Sequence, residues 1–303
     1  MEFTWPENTR AKFGRSAICG THKLHESELA SDAGLAGLLD AYPRDKLGVY
    51  TFPPHSEGRV EARHGRAPDI SGADLLEAVK HGQIWLNLRA VNQNVAEHSN
   101  LGETVFAPLD EATGQRTMKR DVGVLISSPG IHVHYHLDIP LVCLVQLRGT
   151  KTLHLYPARA PFAPLDQIEA VALREREEDI TYRDDFEAAA EAFELTPGQA
   201  ITWPQNAPHR VQNGDALNVS LSCEFMTPKA LLRANAIFAN GVLRRSMNLS
   251  PSLPERVGPS LVGKAMLARA LKAVRKGPPQ HVTPITFEVD PATRSVVDVD
   301  PGA

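Results

Sequence analysis

A short segment in the middle of the chain, IHVHYHLD, carries a potential metal ligand at every second position. In a β-strand, successive side chains point to opposite faces, so residues two apart share a face. The pattern therefore predicts that His132, His134, His136 and Asp138 lie on one face of one strand. Two such residues can chelate a single ion, and a further ligand should then come from a strand that lies beside them.

The sequence around this segment has the pattern of an antiparallel β-protein. Residues 122–225 form short apolar runs, such as LVCLVQL and KTLHLYP, separated by Gly and Pro turns. This spacing is typical of a β-sandwich or jelly roll, whereas alternating strands and helices would predict a parallel sheet. A charged, Ala-rich stretch at 182–193 interrupts the pattern and is predicted to be an inserted helix.

The flanking regions mix helix and strand signals. Before the β-rich region, we predict helices at 26–42 and 72–81, the second with Ser71 as N-cap and Gly82 as C-cap, and strands at 48–52 and 84–91. After it, we predict helices at 229–245 and 260–276. The tail from residue 281 carries one strand-like piece, ITFEVD, and is otherwise predicted to be loosely ordered.

These patterns predict a mainly β fold with helical decorations, built on a double-stranded β-helix or jelly roll. We divide it into an N-terminal α+β region at 1–120 and a jelly-roll core at 121–227 with an insert near 165–195. C-terminal helices and a tail follow at 228–303.

The composition is that of an ordinary globular protein. Of 303 residues, 42% are hydrophobic and 22% are charged, so the chain can bury a sizeable core. A net charge of −4 does not favour nucleic acid as an obligatory partner. The sequence has no apolar run of about 18 residues and no signal-peptide pattern. With three widely spaced cysteines, this predicts a cytoplasmic protein without a membrane partner.

The candidate for the third metal ligand is His209, in the segment PGQAITWPQNAPHRVQN. This segment resembles the second motif of the cupin superfamily: Gly, five residues, Pro, one residue, Gly, two residues, His, three residues, Asn. Gly198, Pro204, His209 and Asn213 match the motif. Asn206 replaces its middle Gly, and Asn also tolerates the left-handed conformation that such a turn can need.

The first cupin motif is matched with two informative departures. Gly130, His136 and Gly149 fit it, but Asp138 replaces its second His and Val142 replaces its Glu. A ligand set of three His and one Glu thereby becomes two His and one carboxylate. The chain thus resembles the JmjC and asparaginyl-hydroxylase branch of the cupins.

The resemblance implies an Fe(II)- and 2-oxoglutarate-dependent oxygenase with iron held by His136, Asp138 and His209. Two imidazoles and one carboxylate leave three coordination positions for a bidentate co-substrate and O₂. Lys151 lies thirteen residues after Asp138, where the similar hydroxylases carry the Lys that pairs with the distal carboxylate of 2-oxoglutarate. Arg148 is the alternative anchor.

Two polar residues that the similar hydroxylases place near the co-substrate are replaced here by Val133 and Val142. Asn218, Ser220 and Ser222 share one face of the last predicted strand, and we expect them to supply the missing contacts.

The reaction that the resemblance implies is hydroxylation of a peptide side chain or of a small molecule. His132, His134 and Trp203 are candidates for contact with this substrate, and the C-terminal helices are candidates for a homodimer interface. Two alternatives stay open: a non-catalytic cupin that binds a ligand or partner, and a metal cupin enzyme that does not use 2-oxoglutarate.

Overall fold

A computed structural model of the protein describes residues 2–51, 62–274 and 284–300. Helices α1–α8 span Thr9–Lys12, Asp32–Ala41, Gly72–His81, Val91–Asn94, Leu101–Thr113, Leu165–Ala172, Pro228–Met247 and Pro259–Val274. Strands β1–β15 span Phe3–Thr4, Ile18–His22, Gly48–Thr51, Arg63–Arg66, Ile84–Leu88, Met118–Ser127, His132–His136, Leu141–Arg148, Lys151–Leu155, Glu191–Leu195, Gln199–Thr202, His209–Asn213, Asn218–Met226, Ile285–Asp290 and Ser295–Asp298.

The core is a double-stranded β-helix, as predicted. Two sheets pack face to face, a large one in the order β1-β2-β11-β8-β13-β6-β5-β3-β4-β14-β15 and a small one in the order β10-β9-β12-β7. Apolar side chains of β8 and β11 pack between the sheets against those of β9 and β10. The cavity described below opens between the same two sheets.

Strand β8 shows why its sequence is a continuous apolar run. It lies inside the large sheet between β11 and β13. Val142 and Leu144 face the small sheet, whereas Cys143 and Val145 pack in the core on the other side. A strand covered on both faces has no solvent side, so polar residues do not alternate along it.

Local signals predicted the helix ends well in the N-terminal region. The side chain of Ser71 accepts a hydrogen bond from the Asp74 amide at the start of α3, and Gly82 follows its last residue. Helix α2 is shorter than predicted, since Ser31 caps it and 3-10 turns precede it. Strand β5 joins β6, so the N-terminal region extends the large sheet of the core.

The helix predicted at 182–193 is wrong. Residues Asp184–Ala189 form only a 3-10 turn, and β10 follows and pairs antiparallel with β9. Pairing covers the edge of β9 and buries Leu195, which outweighs the helix propensity of the alanines. The helix of the insert is α6 instead.

The tail contributes more structure than its sequence predicts. Strand β14, the predicted ITFEVD piece, pairs in parallel with β4, and β15 forms a hairpin with β14. The fully buried ring of Phe287 packs directly against the backbone at Gly65. Residue 52, at the end of a predicted strand, and residues 275–276, at the end of a predicted helix, lie outside the described residues. No helix among the described residues is both long and apolar enough to cross a bilayer.

Candidate metal centre

Three predicted ligands come together between the two sheets. His136 ends β7, Asp138 follows two residues later, and His209 begins β12. The antiparallel register places His209 directly opposite His136, and their ring centroids are 4.1 Å apart. One possible ligand atom from each of the three residues lies within 4.8 Å of the others. This spacing suits three ligands on one face of a metal ion.

The prediction that four residues share one face of the strand is wrong. A bulge shifts the register, because Val211 pairs with Val133 whereas His209 pairs with His136. Strand β7 therefore carries one extra residue, and Val133 and His136 both face the cavity. His132 and His134 are exposed and do not line that cavity. Their predicted contact with substrate is not favoured by this position.

Backbone carbonyls orient both imidazoles. The Nδ1–H of His136 donates to the carbonyl of His134 at 2.7 Å, and the Nδ1–H of His209 donates to that of Ala207 at 3.2 Å. A carbonyl only accepts, so the proton must be on Nδ1 and each Nε2 presents its lone pair to the site. Such a bond from the distal nitrogen is usual in histidines that bind metals.

The electrostatics of the three residues favour a cation. Burial raises the pKa of Asp138 well above its usual range, and the nearby carboxylates of Glu178 and Glu224 add to the effect. Burial also lowers the pKa of His209 well below its usual range. A neutral imidazole is the form that binds metal, and a divalent cation would restore the charged form of the carboxylate.

Lys151 lies in the same cavity with its side chain turned between the sheets. It is only 6% exposed, and burial lowers its pKa to about 7. Within the described ranges, its ammonium group has no carboxylate partner and no hydrogen bond. The alternative anchor, Arg148, instead pairs with Asp32 and does not line the cavity. A buried cation without a counter-ion is costly unless a ligand supplies the negative charge.

The polar residues expected from β13 divide into two groups. Ser222 lines the cavity. Asn218 and Ser220 do not, because both hydrogen bond to the side chain of Gln146, at 3.0 and 2.8 Å. Their predicted role at the co-substrate is therefore not favoured.

Other polar side chains line the same cavity as Lys151. They are Asn87 from β5, Ser127 from β6 and Asn213 from β12, and the Asn213 amide donates to the Ser127 hydroxyl at 2.6 Å. Asn213 belongs to the second cupin motif. Asn87 and Ser127 were missed because nothing in the sequence indicates that β5 and β6 extend the cavity wall.

Charged residues that the sequence did not reveal also line the cavity on the metal side. Arg89 follows β5, Glu178 belongs to the insert, and Glu224 lies on β13. The guanidinium of Arg89 is 4.0 Å from the carboxylate of Glu178. Burial raises the pKa of Glu224 to about 7. Its place on the same strand face as Ser222 is the one signal that could have identified it.

Trp203 packs against the metal-site histidine of β12. Its ring centroid is 4.8 Å from that of His209, and it is buried at the cavity wall. The side chain thus both fills the core and limits the space beside the imidazole.

No protein-family model matches this chain, and none of the curated proteins matches it significantly. Among solved structures, it is similar to the Escherichia coli protein YcfD, with a TM-score of 0.49 and 18% identity over 91% of this chain and 70% of that one. A YcfD structure in complex with cobalt and 2-oxoglutarate gives a TM-score of 0.48 and 18% identity over 90% of this chain and 69% of that one.

The structure thus has two facing sheets with two histidines and one carboxylate between them, the arrangement that the resemblance to the cupins implies. Strands β6–β13 position the ligands, and the N-terminal region and the insert complete the cavity wall.

We expect Asp138→Ala to abolish stoichiometric binding of Co(II), a substitute for Fe(II), because it removes one of the three ligands, and the one that carries negative charge. His132→Ala, which removes an exposed histidine from the same strand, is the matched control and should bind as the wild type does. Isothermal titration calorimetry measures both. Equal binding by Asp138→Ala would place the metal elsewhere.

Proposed function

We propose that this protein is an Fe(II)- and 2-oxoglutarate-dependent oxygenase, and that it hydroxylates a peptide side chain or a small molecule. The observation that carries the proposal is the pairing of two features in one cavity. A two-histidine, one-carboxylate group is present, and a buried lysine that has no counter-ion among the described residues lies in the same cavity. A scaffold protein would need neither, and a metal enzyme without 2-oxoglutarate would not need the lysine.

His136, Asp138 and His209 would hold the iron through two Nε2 atoms and one carboxylate oxygen. The bound iron would supply the O₂ chemistry, in which 2-oxoglutarate gives succinate and CO₂ and the substrate is hydroxylated. Three protein ligands leave room for the keto acid end of 2-oxoglutarate and for O₂.

The residues near Lys151 would bind the other end of 2-oxoglutarate. The ammonium group of Lys151 would pair with the distal carboxylate, and Asn87 and Ser127 would supply polar contacts in place of the residues lost at Val133 and Val142. The apolar side chains of Val133 and Val142 would then exclude water from the bound molecule. Ser222 lies two residues from Glu224 on β13, so it would contact the primary substrate and not 2-oxoglutarate.

The primary substrate would approach beside Arg89, Glu178 and Glu224, since these charged residues line the cavity on the metal side. They come from the N-terminal region, the insert and the last core strand, so the regions outside the motifs would determine which substrate is accepted.

The decisive experiment is anaerobic loading with Fe(II) and 2-oxoglutarate, followed by the weak visible charge-transfer band of the chelate. We expect the band in the wild type, no band in Asp138→Ala and a much weaker band in Lys151→Met. Arg148→Met, which removes the neighbouring cation, is the control and should keep the band. Stoichiometric iron binding without a band or succinate formation would contradict the use of 2-oxoglutarate.

The affinity for 2-oxoglutarate should fall as the pH rises above about 7. Burial lowers the pKa of Lys151 to about 7, so above this pH the empty site holds a neutral amine. The dicarboxylate binds the ammonium form, so binding must take up a proton and should weaken by up to ~10-fold per pH unit. Titrations between about pH 6 and pH 9 test this, with Lys151→Arg as a control that stays charged. An equally steep decline in Lys151→Arg would assign the effect to another group.

We propose that the predicted homodimer forms through α8. This helix buries Leu261 and Ala265, yet it exposes Val262, Met266 and Val274 along a second side. Apolar residues with helical spacing on an exposed face are typical of a helix that packs against another helix. A second copy of this chain would present the same stripe.

We expect Met266→Glu to convert a dimer to a monomer, because it places a charge in the stripe. Met247→Glu, at an exposed methionine at the end of α7, is the matched control. Light scattering coupled to size-exclusion chromatography measures the mass of each variant. A wild-type monomer would contradict the proposal.

A further inference from the structure

One turn between β11 and β12 contacts the backbone of both metal-ligand segments. We call residues 205–207 the ligand turn. The side-chain amide of Asn206 donates to the carbonyl of Asp138 at 2.9 Å, and that of Gln205 donates to the carbonyl of Ile139 at 2.8 Å. The carbonyl of Ala207, the third residue of the turn, accepts the hydrogen bond from the imidazole of His209. The turn thus links two ligands that are far apart in sequence.

The hydrogen bond from Asn206 is made to a carbonyl that lies outside the β-sheet. Asp138 lies beyond the end of β7, so its carbonyl lies outside the pairing of β7 with β12. The preceding amide, of Leu137, donates to the carbonyl of Glu178 in the insert. In the described part of the chain, Asn206 is the hydrogen-bond donor to the Asp138 carbonyl. Its amide therefore fixes the position of the backbone that carries the carboxylate.

The backbone of Asn206 alone does not explain why this residue is Asn. It has a φ of 61° and is buried, and Gly would adopt this conformation at lower cost. The cupin motif indeed has Gly at this position. Gly has no side-chain donor, however, so the hydrogen bond to Asp138 is what Asn adds.

Helix α7 holds the ligand turn from the other side. The amide of Gln205 also donates to the carbonyl of Ala230 at 3.2 Å, and the guanidinium of Arg233 donates to the side-chain oxygen of Asn206 at 3.5 Å. Arg233 can only donate and the Asp138 carbonyl can only accept, so these two partners define which way the Asn206 amide points.

We propose that Asn206 is a positioning residue, which holds Asp138 at the geometry that metal binding needs and connects the metal ligands to α7. This inference rests on the proposed metal site. Groups that orient metal ligands commonly change metal affinity by 10–100-fold when they are removed. Asn206 contacts no ligand atom itself, so its effect would pass through the backbone of Asp138.

The test is titration of the metal-free protein with Co(II), followed by its visible d–d absorption, which reports both affinity and coordination geometry. In Asn206→Gly the left-handed conformation stays easy while the hydrogen bond is lost. We expect a dissociation constant raised about 10-fold and an altered Co(II) spectrum.

The matched control is Asn248→Gly. Asn248 also has a left-handed backbone, with a φ of 51°, but it caps α7 on the surface and does not line the metal cavity. The chemical change is identical, so affinity and spectrum should be those of the wild type. A second variant, Asn206→Asp, keeps the size and the conformation but turns a donor into an acceptor. We expect it to bind Co(II) more weakly than the wild type. Because its added negative charge alone would favour a cation, that result would assign the loss to the missing donor even if Asn206→Gly fails to fold.

The outcomes separate two failures. If the wild type shows no Co(II) binding that depends on Asp138, the metal site itself is wrong. If the wild type binds and both Asn206 variants give the same dissociation constant and spectrum as Asn248→Gly, the metal site stands and the positioning role of Asn206 is overturned.

Discussion

The pairing of β12 with β7 is the constraint on which the rest of the site depends. It places His209 opposite His136, and the bulge beside this pair turns His136 into the cavity together with Val133. A register shift of one residue would point a ligand away from the cavity. The other parts of the site keep this pair of strands, and Asp138 after β7, in place. These parts are the insert, the ligand turn and the central strands of the large sheet.

Lys151 illustrates a compromise between stability and chemistry. Its position on β9 lies opposite Asn213 of β12, within the β-helix and away from any carboxylate partner that the structure describes. An apolar residue there would suit the empty cavity better, since folding depresses the pKa of the amine and so works against the folded state below its ordinary pKa. Binding sites commonly retain such unfavourable groups because a ligand of opposite charge relieves the strain.

The features that could be predicted from the sequence are those with a short-range signal. The run of short apolar strands indicated the two-sheet core, motif spacing indicated the three ligands, and side-chain chemistry identified Ser71 as a helix cap. The resemblance to the hydroxylases pointed to Lys151, whose role stays a prediction. The bulge in β7 could not be predicted, because it depends on how two distant strands align. Arg89 and Glu178 enter the site through tertiary packing of regions without a motif. The alanines near residue 190 favoured a helix, and only the open edge of β9 explains why β10 forms instead.

Strand β14 completes the sheet from far along the chain. Its Thr286 hydroxyl donates to the carbonyl of His64, 222 positions earlier, and the neighbouring Phe287 packs over Gly65. During synthesis, one edge of β4 therefore stays unpaired until β14 has been made. Contacts between distant segments form slowly, and an unpaired edge invites association with other chains. We therefore expect the metal-binding core to form before the sheet is closed.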